Sequence, residues 1–215
     1  MAIKTIILDF DGTIADTRKS IILSIQSSLA EAEMQPADEE QIKAYIGLPL
    51  KDILKKIADI PDDATMEKLV AIYRKRYNEI AENCVKLFPN VMRVLDELYQ
   101  KGITITVASS KGRGALLLLL DKLGVRDYMT LILGEQDIHH KKPAPDMALL
   151  IMEETNSKPD ETLVIGDTIY DIAMGHGAHC LTCGVKYGYN STAQLKSEQP
   201  DYLIDNFSEL LEIVN

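Results

Sequence analysis

Ile6-Ile7-Leu8-Asp9-Phe10-Asp11-Gly12-Thr13 is an apolar, β-branched run that stops at a carboxylate. A second carboxylate follows two residues on, and Gly12 then permits a sharp turn. Period-two geometry puts Asp9 and Asp11 on one side if the strand continues that far. Like charges this close repel, so they call for a cation or a shared proton. A hard cation with oxygen ligands is the natural partner, and magnesium keeps several waters and uses only one or two carboxylates. Thr13 adds a hydroxyl and an N–H. A plain strand ending in an acidic turn shows the same letters, and Asp-x-Asp-Gly also opens EF-hand loops. The rest of that loop pattern is missing, because Thr13 falls at its fifth position and Ile14 stands where its glycine is needed.

Similar apolar runs recur at 103–108, after the turn signal Lys101-Gly102, and at 129–133, 162–165, 180–185 and 202–204. Between them, 114–123, 145–154 and 169–175 carry helical spacing and end near a glycine or a polar break. This alternation predicts an α/β fold with a parallel sheet covered on both faces. Residues 16–86 break the rhythm. They hold no strand signal, and Ile21/Ile22, Ile25 and Leu29, then Ile53, Leu54 and Ile57, then Leu69, Tyr73, Tyr77, Ile80 and Cys84 recur at helical spacing. Pro36, Gly47-Leu48-Pro49 and Pro61-Asp62-Asp63 punctuate them, with Pro49 suited to a first helical turn. A βαβ crossover needs only about a dozen residues, so this stretch is expected to be a small all-α domain inserted between the first two strands.

The chain has 215 residues, enough for one large core or a core with a small inserted domain. No apolar run approaches the length that spans a bilayer. The N-terminus lacks the basic and apolar regions of a signal peptide, so a cytoplasmic location is expected. A formal net charge of -10 argues against nucleic acid or an anionic membrane as partner, while leaving room for a locally cationic site. Three cysteines, Cys84, Cys180 and Cys183, argue against a disulfide framework.

Three further stretches fall where parallel strands end. Gly166-Asp167-Thr168-Ile169-Tyr170-Asp171 follows an apolar run and opens a helix. Asp171 suits the first helical turn by the helix dipole alone, but that does not account for Asp167. Ser109-Ser110-Lys111 offers hydroxyls and N–H groups at a strand–helix turn, suited to an anion, although serine is also a common N-cap. Lys141-Lys142-Pro143-Ala144-Pro145-Asp146 reads alone as a solvated basic pair in a loop. Open parallel sheets bind ligands beyond the carboxyl ends of their strands, so the four stretches converge on one edge. Among them Asp9, Asp11, Asp167 and Asp171, the hydroxyls of Ser109 and Ser110 and the cation of Lys142 make up the candidate set.

The four in order resemble the motifs of the haloacid dehalogenase superfamily of aspartyl-phosphate phosphohydrolases: Asp9 to Ile14, the run ending in Ser109, Lys142-Pro143-Ala144-Pro145, and Gly166 to Asp171. The resemblance spans the whole chain, in the phosphoglycolate phosphatase and β-phosphoglucomutase branch. It implies a Rossmann-like doubly wound parallel sheet, residues 1–15 plus 87–215, with a helical cap at 16–86. Leu87-Phe88-Pro89-Asn90-Val91 resembles the return into the core, with Asn90 where relatives have glycine, and Ser110 stands where many relatives carry asparagine.

The resemblance also implies roles. Asp9 is the expected nucleophile, and Asp11 the acid and then the base. Ser109 and Lys142 bind the phosphoryl group. Magnesium is held by Asp9, Asp167 and the backbone carbonyl of Asp11, with Asp171 holding the metal shell through water or orienting Lys142. Asp11 points away from true dehalogenases, which as a group lack it. Gly12, Thr13 and Ser110 are expected to contact substrate, as is Gly47 in a cap loop, Tyr45-Ile46-Gly47-Leu48-Pro49, like the substrate-facing loop of that branch. Arg74 and Arg76 are further candidates, set against ordinary solvated helix arginines. His176, His179, Cys180 and Cys183 mimic a metal cluster, but strand residues three apart point to opposite faces, so the cysteines read as core. His139-His140 reads as an exposed loop pair. The expected activity is hydrolysis of a small phosphorylated metabolite by a monomer or weak homodimer. Inorganic pyrophosphatase and β-phosphoglucomutase are alternatives within the same chemistry, and a catalytically silent binding module is the alternative outside it.

Overall fold

The computed structural model describes residues 2–214. In chain order, β1 (Thr5–Leu8) and β2 (Ala15–Asp16) precede four helices, α1 (Arg18–Glu31), α2 (Glu39–Lys43), α3 (Leu50–Ile57) and α4 (Asp63–Cys84). The chain then runs through β3 (Lys86–Leu87), α5 (Val91–Gln100), β4 (Thr104–Ala108), α6 (Arg113–Lys122), β5 (Leu131–Leu133) and α7 (Asp146–Thr155). It ends with β6 (Thr162–Gly166), α8 (Ile169–Gly177), β7 (Leu181–Val185), α9 (Thr192–Ser197), β8 (Tyr202–Ile204) and α10 (Leu210–Ile213). Two compact units result, Met1–Asp16 with Leu87–Asn215, and Thr17–Lys86.

The larger unit is built on a six-stranded sheet in the order β5-β4-β1-β6-β7-β8, with every pair parallel. Ile7, Ala108, Leu133 and Val164 face one way and pack with Met147, Ala148 and Ile151 of α7 and Met174 of α8. Ile6, Leu8, Val107 and Ile165, the alternate residues of the same strands, are just as fully buried. Burial on both faces is why these strands read as continuous apolar runs rather than alternating ones. The order runs outward from β1 through β4 to β5, then returns to β6 on the other side of β1. The crevice at this reversal is where doubly wound sheets bind ligands.

The smaller unit is helical. Ile25 and Leu29 of α1, Ile42 of α2, Leu54 of α3, and Leu69 and Val70 of α4 form its buried core. Asp38 and Asp62 accept backbone N–H groups at the starts of α2 and α4, so the sequence marks where those helices begin. Among the described residues, no helix is long and apolar enough to cross a membrane.

Several expectations shift by a residue or more. β1 stops at Leu8, so Asp9 and Asp11 do not share one face of a continued strand. Instead the Phe10 carbonyl accepts the N–H groups of Ile14 (3.2 Å) and Ala15 (3.1 Å), closing a tight turn that carries Asp11 and begins just after Asp9. β7 starts at Leu181, leaving Cys180 just outside it. Pro49 and Pro145 sit one residue before the helices they were expected to open. Helix α5 was not anticipated, although Val91, Val94, Leu95 and Leu98 have the right spacing and are buried. Asn90, which precedes it, is left-handed at φ 67, a conformation that asparagine tolerates better than most residues.

Helix α8 approaches the sheet closely at Gly175, where a Cβ would lie 2.5 Å from Thr182 Cγ2 and 3.1 Å from Val164 Cβ. Both neighbours are buried, branched residues on strands, with little room to yield. Gly175→Val should therefore lower the unfolding free energy by about 3 kcal/mol. Urea unfolding of the two proteins checks this, and equal midpoints would show that the helix can retreat without cost.

Candidate active site

Asp9 follows β1 and Asp167 follows β6, the two strands that flank the reversal point. Asp171 lies in the first turn of α8, where the helix dipole favours an anion. One carboxylate oxygen from each of Asp9, Asp167 and Asp171 lies within 4.8 Å of the others, and all three residues are buried. Lys142 enters from the loop between β5 and α7, with a cis bond to Pro143. Its Nζ donates to Asp9 Oδ1 (2.7 Å) and Asp171 Oδ1 (2.6 Å), and its side chain is 1 % exposed.

Backbone N–H groups and hydroxyls hold Asp171 and Asp167 in place. Asp171 Oδ2 accepts the Thr168 N–H (3.0 Å) and hydroxyl (2.6 Å) in a reciprocal cap of α8. Asp167 Oδ2 accepts the Tyr189 N–H (2.7 Å), and its Oδ1 accepts the Thr13 hydroxyl (3.3 Å). Tyr187 donates its hydroxyl to the Thr13 carbonyl (2.8 Å). A Cβ on Gly12 or Gly188 would collide with Asp167, and one on Gly166 would collide with Asp171. Glycine at these positions lets three loops close around the carboxylates. Gly12, at φ 85, also needs glycine for its backbone turn.

Ser109 is buried at the end of β4, the strand beside β1, and its Oγ accepts the Lys111 N–H (3.1 Å). Lys111 reaches the second carboxylate of the opening motif, with its Nζ 3.1 Å from Asp11 Oδ2. Ser110 is half-buried on the same turn. Gly47 lies in the helical unit, between α2 and α3.

The electrostatics follow from crowding. Burial raises the Asp9 carboxyl to about 7; Lys142 opposes the rise, while the charges of Asp171 and Asp11 add to it. Asp167 is raised well above the usual carboxylate range, first by burial and then by the charges of Asp9 and Asp171. Burial alone would lower Lys142, but Asp171 and Asp9 outweigh it and hold the ammonium above its ordinary range. One buried ammonium thus faces three carboxylates. That excess of negative charge, carried by hard oxygen donors, fits a divalent cation such as magnesium.

The other sequence candidates separate from this cluster. Cys180 and Cys183 are buried, and burial pushes both thiols up to about 12. His176 instead meets the Thr182 hydroxyl (3.2 Å), and exposed His140 pairs with Asp146 (2.8 Å). Arg76 pairs with Glu31 and Glu79 on the helical unit. Sequence reasoning named Lys111 without giving it a role, and it missed the 187–190 loop altogether. That loop follows a parallel strand on the ligand edge, a position that could have drawn attention to it.

The family model for haloacid dehalogenase-like hydrolases matches residues 6–185. The chain is 31% identical over 214 residues to a protein of Oceanobacillus iheyensis named pyrophosphatase PpaX, covering 100% of this chain and 98% of that one. It is 28% identical over 230 aligned positions to the phosphoglycolate phosphatase of Escherichia coli K12, covering 97% and 91%. A crystal structure of a predicted phosphoglycolate phosphatase from Haemophilus somnus superposes with a TM-score of 0.92 at 25% identity, covering 99% and 98%. With a family model spanning most of its length and a relative aligned end to end, the chain belongs to the haloacid dehalogenase-like hydrolases, as an enzyme of their phosphatase kind.

Proposed function

We propose that this protein is a magnesium-dependent phosphatase of small phosphorylated metabolites that works through a phosphorylated Asp9. The observation that carries this reading is the Asp9 carboxylate, bonded to Lys142 and gathered with Asp167 and Asp171 where the strand order reverses. Asp9 and Asp167, with the Asp11 carbonyl, would hold the magnesium ion, which when bound supplies positive charge to offset repulsion between a carboxylate and a phosphate. Asp171, bonded to Lys142 Nζ, orients that ammonium toward Asp9. An Asp9 oxygen attacks phosphorus, the bond to the leaving oxygen breaks, and Asp11 gives that oxygen its proton. Asp11 then takes a proton from water, whose oxygen displaces Asp9 from phosphorus and restores the carboxylate. Ser109 and Lys142 steady the phosphoryl oxygens.

The Thr17–Lys86 unit is inserted just after the turn that carries Asp11, and we assign it the part of a cap. Its Tyr45 to Pro49 loop, with Gly47, is the element proposed to meet the leaving group. Pyrophosphate is a second substrate reading, favoured by the end-to-end similarity to the relative named pyrophosphatase PpaX.

Phosphate release from p-nitrophenyl phosphate, phosphoglycolate and pyrophosphate, with magnesium or with chelator, tests the activity. At least one should be hydrolysed, and chelation should stop it. Asp9→Asn should lower kcat by on the order of 10⁴, and Asp11→Asn by roughly 10² to 10⁴. A folded, metal-loaded protein inactive on every phosphorylated compound would sink the proposal.

Stability gives a second test. With its folded pKa raised to about 7, Asp9 keeps a proton that the unfolded chain has lost. The resulting stabilisation is fully present below about pH 4, the unfolded value, and is lost as pH rises toward 7. Without metal, Asp9→Asn should therefore gain stability relative to the parent protein between pH 5 and pH 7.5. Magnesium at pH 7.5 should raise the melting temperature of the parent more than that of the variant. Parallel pH profiles for the two proteins would mean that Asp9 does not carry this strain.

A further inference from the structure

The larger unit places two lysines at the ends of neighbouring strand–loop segments, and they engage different carboxylates. Lys142 is held between Asp9 and Asp171, beside the attacking oxygen. Lys111 reaches Asp11 with a side chain that is 8 % exposed. The other cations nearby have acidic partners of their own: Arg113 pairs with Asp137 (2.7 Å) and Lys141 with Glu135 (3.3 Å). The turn bearing Lys111 is fixed on both sides. Its N–H donates to Ser109 Oγ (3.1 Å), and its carbonyl accepts the Glu135 N–H (3.0 Å).

In an in-line displacement the leaving oxygen departs opposite the attacking one, on the side where the acid stands. A leaving oxygen within hydrogen-bond reach of Asp11 therefore lies on the order of 6 Å or less from Lys111 Nζ. An anionic group one or two bonds beyond that oxygen falls within reach of the ammonium on its flexible stem.

We propose that Lys111 is a specificity-determining residue, one that selects phosphorylated substrates whose leaving group carries its own negative charge. The inference rests on the reading of Asp9 as nucleophile and Asp11 as acid, and it narrows the substrate class of that site. On binding, Lys111 exchanges its bond to Asp11 for one to the anion of the leaving group. Two chemistries supply such an anion: a second phosphoryl group, as in pyrophosphate, and a carboxylate, as in phosphoglycolate. Neutral alcohol and phenol leaving groups offer Lys111 nothing to hold.

The experiment measures kcat/KM for pyrophosphate, phosphoglycolate, p-nitrophenyl phosphate and a simple alkyl phosphate in the magnesium-loaded protein, its Lys111→Met variant and its Lys111→Arg variant. Thermal unfolding of each checks folding. Ratios to p-nitrophenyl phosphate cancel effects on binding of the phosphoryl group. Ratios to the alkyl phosphate, whose uncharged leaving group needs the Asp11 proton to depart as that of phosphoglycolate does, cancel any general effect on Asp11. In Lys111→Met both ratios for at least one anionic substrate should fall about tenfold or more, the worth of a charge-assisted hydrogen bond. Lys111→Arg should restore part of the loss, and the substrate whose ratios fall identifies the anion. Equal losses on the anionic substrates and the alkyl phosphate would reduce Lys111 to a support for Asp11 and overturn the inference. Ratios that do not move would overturn it too, as would a parent protein that hydrolyses p-nitrophenyl phosphate but neither anionic substrate. A parent inactive on all four would instead overturn the phosphatase reading, and this inference with it.

Discussion

Three buried carboxylates gather beside one ammonium that bonds two of them, and the rest of the larger unit is arranged to keep them from moving apart. Like charges in a low-dielectric setting relax by rotating away, taking up protons or recruiting a cation. The first route is closed for two of the three. Asp171 is tied to the start of α8 through Thr168, and Asp167 is tied to the Tyr189 backbone and the Thr13 hydroxyl. Backbone N–H groups and buried hydroxyls do not follow a retreating carboxylate. What remains is a proton or a cation, and both act on the groups that the proposed chemistry uses. The strain is local, and it is carried by a sheet whose central strands are buried on both faces.

The same arrangement explains where glycine is required. The turn after β1, the end of β6 and the loop after β7 meet around Asp167 and Asp171, and each presents a glycine to them. A methyl group at Gly12, Gly166 or Gly188 would occupy the space of a carboxylate. The site is therefore narrow by construction, and its geometry depends on main-chain packing more than on side-chain choice. Close approach of α8 at Gly175 extends this outward, setting the height at which Asp171 stands over the sheet.

Much of this was legible in the sequence because it is local. Strands covered on both faces need unbroken apolar runs, so all six strands of the large sheet stood out, and the carboxylates ending β1 and β6 stood out with them. Asn90, which stands where relatives have glycine, takes the left-handed backbone that asparagine tolerates. What escaped was non-local or set by a competing bond. The length of β1 could not be read, because the Phe10 carbonyl turns the chain before Asp11 can join the strand. The strand order that makes β1 and β6 neighbours is a property of the whole sheet. The link from Lys111 to Asp11 spans a hundred residues, and no spacing rule carries it. Nor does any rule place the Tyr189 N–H on Asp167. Helix α5 is a different case, since the spacing of Val91, Val94, Leu95 and Leu98 is local and present in the sequence.

The two lysines show how such a site can be constant in one half and adjustable in the other. Lys142 has two carboxylate partners and almost no exposure, so moving it would strand two buried charges at once. Such a cation suits the one group that every substrate of a phosphatase shares, the phosphoryl being transferred. Lys111 is less deeply buried, and its ion pair is with Asp11, the carboxylate that the proposed chemistry brings to the leaving oxygen. Exchanging that partner for a substrate anion leaves no charge unpaired once Asp11 carries the proton it is proposed to give, provided the substrate brings the anion. A neutral leaving group brings none, and the exchange then has no driving force. Selectivity of this kind comes from the core as well as from any inserted unit. It asks only that an exchangeable cation lie on the departure side of phosphorus, where the proposed role of Asp11 would put Lys111.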